Sequence, residues 1–126
     1  MSFFARYFAA LDGPDPLSSL ALVADDVEFV IFWAADGGRH SARQLTGGVD
    51  ELRAMIEAGG DMAGWAHHIL FSTAADGIEF AQGETRTDAG ERLGTFLCSA
   101  QFDADGRMSR YLVARSPAIA FAAEGP

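Results

Sequence analysis

Three strand-like runs near the end of the chain, Ile78 to Thr87, Leu93 to Phe102 and Met108 to Ala114, are separated only by short turns rich in Asp and Gly. Parallel neighbours would need a crossover of a dozen or more residues, so connections this short require antiparallel pairing. The stretch therefore reads as a meandering antiparallel sheet. The turns at Ala75-Asp76-Gly77, Asp88-Ala89-Gly90 and Ala104-Asp105-Gly106 each place a glycine where positive φ is needed. A helical first third ahead of such a sheet predicts helices packed on one face of a curved sheet, an arrangement that tends to enclose a pocket.

Phe3, Phe4, Tyr7, Phe8 and Leu11 recur at helical spacing, so Ser2 to about Asp12 is expected to be an amphipathic helix capped by Ser2 and stopped by Gly13-Pro14-Asp15-Pro16. Leu17 to Ala24 reads as a short second helix, and Asp25-Asp26 as the turn into an apolar strand, Val27 to Trp33. A polar stretch, Ala35 to Gln44, leads to Thr46-Gly47-Gly48. Val49, Leu52, Met55 and Ile56 then mark a third helix that ends at Gly59-Gly60. Ala66 to Thr73 is the next strand. No internal repeat or linker interrupts residues 1–126, which are expected to form one domain, with the tail from Ser116 to Pro126 adding a short helix or fraying.

The chain has 126 residues, 49% of them hydrophobic, enough for a core without metal or disulfide support. Its single cysteine, Cys98, excludes an internal disulfide. The formal net charge is −9 and every basic residue is arginine. A field of that sign repels phosphate backbones and anionic lipid, so neither nucleic acid nor a membrane surface is expected as a partner. The N-terminal segment lacks a basic stretch followed by a long apolar run, and no run approaches a membrane span, so a cytoplasmic location is expected.

Ala24-Asp25-Asp26-Val27, Thr46-Gly47-Gly48-x-x-x-Leu52 and Phe102-Asp103-Ala104-Asp105-Gly106-Arg107-Met108 occur in an order that resembles the NTF2-like superfamily, whose small bacterial members include SnoaL-like cyclases and ketosteroid isomerase. The resemblance spans nearly the whole chain but rests on fold signals. It implies a cone-shaped α+β fold of the cystatin/NTF2-like kind: a curved, antiparallel or mixed sheet with about three N-terminal helices enclosing an apolar cavity, commonly a homodimer through the outer sheet face. Alignment on these segments puts Tyr7 at the position of the isomerases' oxyanion-hole tyrosine. Ile31 then stands where their base should be, and Cys98 where their protonated carboxylic acid should be, which argues against steroid isomerisation.

The same alignment turns Ile31 and Cys98 toward the cavity, and period-two alternation adds Phe29 and Trp33 beside Ile31, and Phe96 beside Cys98. If Thr87 pairs with Glu91, Phe80 falls opposite Cys98 and joins that wall. Trp65 and Met55 add further apolar surface. Of the adjacent His67 and His68 only one can face inward, and His67, which shares its face with Trp65, Ile69 and Phe71, is expected to be that one. A histidine can act as general acid or base near neutral pH. Trp65-Ala66-His67-His68-Ile69 is also similar to the strand of SnoaL-like dehydratases in which a histidine has that role.

Tyr7 and Asp12 share a spacing with a Tyr and Asp of some dehydratases in the superfamily. On a straight helix, however, they diverge by about 140°, and Asp12 reads first as a solvated residue before the Gly-Pro turn. Cys98 on an apolar strand reads as a small buried hydrophobe rather than a nucleophile. Arg115 is set either to meet an acidic ligand group or to pair with a surface carboxylate. No metal ligand set and no cofactor motif is read. The expected function is binding of a small hydrophobic molecule, polycyclic ones included. Tyr7 and His67 would be a polar pair in a cofactor-independent lyase, isomerase or cyclase; the alternative is a noncatalytic ligand-binding or dimerisation module.

Overall fold

The computed structural model describes residues 2–33, 43–59, 64–117 and 119–120. Helix α1 spans Phe3–Leu11, with Ser2 in extended conformation accepting a hydrogen bond from the Ala5 amide at its Oγ (3.1 Å). Phe3, Phe4, Tyr7 and Phe8 bury the apolar stripe. Each such ring contributes about 1.5–3 kcal/mol through burial, so packing rather than intrinsic propensity holds this short helix. The short second helix expected at Leu17 to Ala24 is present as a segment of 3-10 helix, Pro16–Leu22. Helix α2, Val49–Ala58, starts where Gly47-Gly48 predicts it; its Glu51 carboxylate reaches back to the Gly48 amide (2.8 Å), and Leu52 and Ile56 are buried.

Six strands form one mixed, curved sheet: β1 Val23–Trp33, β2 Arg43–Gly47, β3 Trp65–Ala75, β4 Ile78–Thr87, β5 Arg92–Phe102 and β6 Met108–Ser116, in spatial order β2-β1-β6-β5-β4-β3. The β3 to β6 meander is antiparallel throughout, as the short turns require, while β1 joins β6 in parallel. Positive φ at Gly77, Gly90 and Gly106 closes the three turns. This is the α+β architecture expected from the sequence.

Two local readings change. Asp25 and Asp26 are not a turn but part of β1, exposed in an irregularity between Val23 and Glu28 where β1 carries extra residues opposite β6. The polar stretch from Ala35 also yields a strand, since β2 forms a hairpin edge on β1; the rest of that stretch, with Gly37-Gly38, lies outside the described residues, as do Met62 and most of the C-terminal tail.

Bulges decide which side chains face the helices. Thr87 does pair with Glu91 through its amide (2.9 Å), but Leu93 is then bulged out, Thr85 pairs with Gly94, and Cys98 faces Ala81 instead of Phe80. Phe80 pairs with Ser99 on the outer face and is 42% exposed, so it does not line the interior. Glu79, Ala81, Gly83 and Thr85 take the inward positions. A second bulge at Leu70 keeps His67 and Ile69 inward but turns Phe71 out beside Gln82, at 61% exposure. Gly83 lies opposite Ile69, and a Cβ there would collide with the His68 carbonyl and the Phe96 ring, so no larger residue fits.

Candidate functional site

Strand directions bring the C-terminal ends of β1, β4 and β6 to the same end of the sheet as the N-terminal starts of β3 and β5. Trp33, Arg115, Phe96, Trp65 and His67 therefore gather there, and α1 runs so that Asp12 ends beside them. Deeper along the same face, Phe29, Ile31, Cys98, Tyr111 and Val113 belong to one buried cluster with Tyr7 and Phe8, against which Trp33 and Met55 pack partly buried. Of the wall residues expected from the sequence, Phe29, Ile31, Trp33, Phe96 and Cys98 thus share the inner face. Phe80 is on the other side, as is Phe71, which was expected to share the face of His67.

Asp12 is not a solvated turn residue. It caps the C-terminus of α1, and its carboxylate accepts hydrogen bonds from the His67 backbone amide (2.8 Å) and from His67 Nδ1 (3.0 Å). The His67 side chain is 1% exposed, and its ring stacks on Phe8 at 4.2 Å between centroids with planes 5° apart. With the carboxylate on Nδ1, the proton of the neutral ring resides there. Nε2, across the ring, is left as a buried acceptor without a hydrogen-bond partner among the described residues. Burial pushes the His67 pKa below its ordinary value and outweighs the Asp12 hydrogen bond and charge, which pull it up; Arg115 and His68 add to the lowering. The imidazole is consequently neutral at pH 7. His68, on the opposite face, is exposed. A cleft of about 400 Å³ between α1 and β3, lined by Ala5, Phe8, Asp12, His67 and Ile69 among others, reaches this pair from outside.

The carboxylate of Glu79, which no sequence reading placed inside, accepts from the Phe3 and Phe4 amides (3.0 and 2.8 Å). It satisfies donors that a helix start leaves open and puts negative charge at the positive end of the dipole. Helix α1 is thus tied to β4 at one end and to β3 at the other, which fixes where Tyr7 and Phe8 sit. Tyr7 is 1% exposed, packed on Phe3, Phe8 and Tyr111, and burial raises its phenol pKa well above the ordinary value. Burial, with a lesser push from Glu79, raises the Cys98 thiol to about 12, so it is not a nucleophile at neutral pH. Arg115 faces inward from β6, its Cζ 5.8 Å from the Trp65 ring centroid. Among the described residues, no cluster of three or more His, Cys, Asp or Glu side chains is placed to hold a metal ion, and no helix is long and apolar enough to cross a membrane.

Solved structures share this architecture at low identity. A protein assigned as an isomerase of the SnoaL-like family from Agrobacterium tumefaciens superposes with a TM-score of 0.69 at 14% identity, covering 90% of this chain and 93% of its own. A protein assigned as a polyketide cyclase from Sinorhizobium meliloti gives 0.60 at 18%, covering 90% and 94%. One assigned as a ketosteroid isomerase from Kribbella flavida gives 0.59 at 21%, covering 98% and 79%. No protein-family model and no curated protein matches the sequence. The chain has the NTF2-like fold, in the form shared by SnoaL-like proteins and ketosteroid isomerases. At these identities the likeness is one of fold, and activity has to be argued from the site.

Proposed function

We propose that this protein binds a small hydrophobic molecule at the end of the sheet marked by Trp33, Trp65 and Phe96, and acts on it as a cofactor-independent lyase or isomerase. The observation that carries the reading is the Asp12–His67 pair: a neutral, buried imidazole held by a carboxylate on Nδ1, with Nε2 unpartnered. A structural histidine would be expected to satisfy both nitrogens once buried.

In this reading, Nε2 takes a proton from a carbon acid on the ligand and Asp12 stabilises the imidazolium that forms. The freed electron pair makes a new double bond, either expelling a β-hydroxyl that collects the proton from Nε2 and leaves as water, or moving onto a carbonyl oxygen to give an enolate that Nε2 reprotonates at another carbon, returning the imidazole to its neutral form. Tyr7, whose phenol stays protonated in its buried setting, donates a hydrogen bond to the ligand oxygen. Ile31 and Cys98, where a ketosteroid isomerase would carry its acids, leave no second carboxyl for that enzyme's chemistry.

The assay is turnover and binding on a panel of small β-hydroxy and enolisable ketones. His67→Ala is expected to abolish turnover while ligand affinity changes little, and Tyr7→Phe to lower it by about 10²-fold or more. Turnover unchanged in both variants, with unchanged binding, would leave the noncatalytic ligand-binding or dimerisation role.

The same reading includes a homodimer through the outer sheet face. Strand registers place Val30, Leu112, Ser99, Phe80 and Thr73 in one row and Phe32, Ala114, Leu97, Gln82 and Phe71 in the next. Phe71, Phe80, Leu97 and Leu112 are 61, 42, 59 and 53% exposed, an apolar area that a lone domain would leave in water.

A further inference from the structure

Two guanidiniums share the inner face of the sheet, Arg43 exposed on the edge strand β2 and Arg115 half-buried on β6, and among the described residues nothing anionic pairs with Arg115. Arg115 lies on β6 between Trp33 of β1 and Phe96 of β5, and Trp65 covers it from β3. Its Nε is buried without a hydrogen-bond partner among the described residues. Among the described residues the ion pairs join Asp12 to His67, Glu84 to Arg86, Asp105 to Arg107 and Glu28 to Arg110, and none includes Arg115. Supply is not the difficulty, since the chain has 18 acidic residues against 9 basic ones. Arg115 is half-buried with its Nε withdrawn from water, and a guanidinium drawn in this far normally meets an anion, because the charge loses hydration and otherwise gains nothing in return.

We infer that Arg115 is an anion-binding residue and that the molecule held at this end of the fold is a carboxylic acid with an apolar, ring-containing body. The inference rests on the proposal above that a small molecule binds there. One carboxylate matches one planar guanidinium in charge and fork geometry. A phosphate would call for more cations at close range: no lysine occurs in the chain, the neighbouring imidazole is neutral, and Arg43 stands exposed on the far side of Trp33. Trp33, Trp65 and Phe96 supply faces for rings, which accounts for the body of the ligand as Arg115 accounts for its acid group. Arg115 also acts on its surroundings before any ligand arrives, since its charge favours the ionised forms of Tyr7, Cys98 and Tyr111 and disfavours protonation of His67. A bound carboxylate would offset that field and make the imidazole a better base.

Both tryptophans of the chain, Trp33 and Trp65, flank Arg115, so intrinsic fluorescence reports directly on occupancy. The probes are 2-naphthoate and the neutral 2-naphthalenemethanol, which share a body and differ in the acid group. The wild-type protein is expected to bind naphthoate at least about tenfold more tightly, the scale of one charge-assisted hydrogen bond. Arg115→Gln should erase that preference while keeping affinity for the alcohol, which also certifies that the variant is folded. Arg115→Lys, which keeps the charge and loses the fork, should fall between the two, and it carries the test should the Gln variant not fold. An equal affinity for both probes in the wild-type protein, or a naphthoate preference that survives Arg115→Gln, overturns the inference and leaves the proposed binding function standing. Failure of the wild-type protein to bind either probe overturns both.

Discussion

Removing the Asp12 carboxylate separates its two tasks, holding β3 to the helix and setting the state of His67. Asp12→Ala deletes an acceptor for the His67 amide at 2.8 Å and for Nδ1 at 3.0 Å. Hydrogen bonds to a charged group are worth about 1.5–3 kcal/mol each, and the donors left behind are largely buried. With the Asp12 side chain 12% exposed, solvent screens the pair only modestly. A loss of about 2–4 kcal/mol at pH 8 follows, or roughly 10 °C in Tm for a domain of this size. The pH dependence has a definite sign. His67 has a lowered pKa in the folded protein, so between that value and the unfolded value near 6.5 the unfolded chain binds more protons. Its contribution is complete above about pH 6.5, and stability is lost as pH falls from there toward the folded pKa. Asp12 raises the folded pKa, so Asp12→Ala should extend the loss to lower pH. Urea unfolding from pH 5 to 8, together with NMR titration of the His67 Cε1 proton, measures both effects. A loss under about 0.5 kcal/mol at pH 8, or a wild-type His67 titrating at or above 6.5, would refute the reasoning.

Glu79→Ala removes the acceptor for the Phe3 and Phe4 amides, and about 1–3 kcal/mol of stability should go with it; thermal unfolding that matches wild type within 1 °C would deny Glu79 that role. Leu97→Glu places a charge in the middle of the exposed outer rows and should convert a dimer into monomers without loss of fold; light scattering that gives a monomer for the unaltered protein at micromolar concentration removes the dimer proposal.

Much of the architecture was legible because it is carried by local signals. Ser2, the 3.6-residue apolar spacing after it and the glycines of the β3 to β6 turns mark their elements by short-range chemistry, and the helices and meander occur where those marks put them. The strand facing was not legible in the same way. A bulge depends on which ladder hydrogen bonds win, and one extra residue reverses every side chain beyond it. Gly94 and Gly83 were the available signal, since an isolated glycine inside a strand often marks such an irregularity or a close approach, and both lie beside one here. The short, polar β2 carries no alternation strong enough to read. Tyr7 and Asp12 do diverge as helical geometry predicts, one into the aromatic cluster and the other to the edge of β3. That Asp12 would meet His67, 55 residues on in the sequence, no spacing could reveal.

The extra residues at Leu70 and Leu93 let one strand serve different environments along its length. Losing either bulge while keeping its residue would not be a local lesion: the pairing beyond it would slip by one, drawing Phe80 or Phe71 indoors and, at the β4–β5 bulge, expelling Glu79, the anchor of the first helix. Tolerated changes of length should accordingly fall at the hairpin tips, where no side chain has to choose a side. Odd-numbered insertions within these two strands should be purged even where every individual residue type is acceptable.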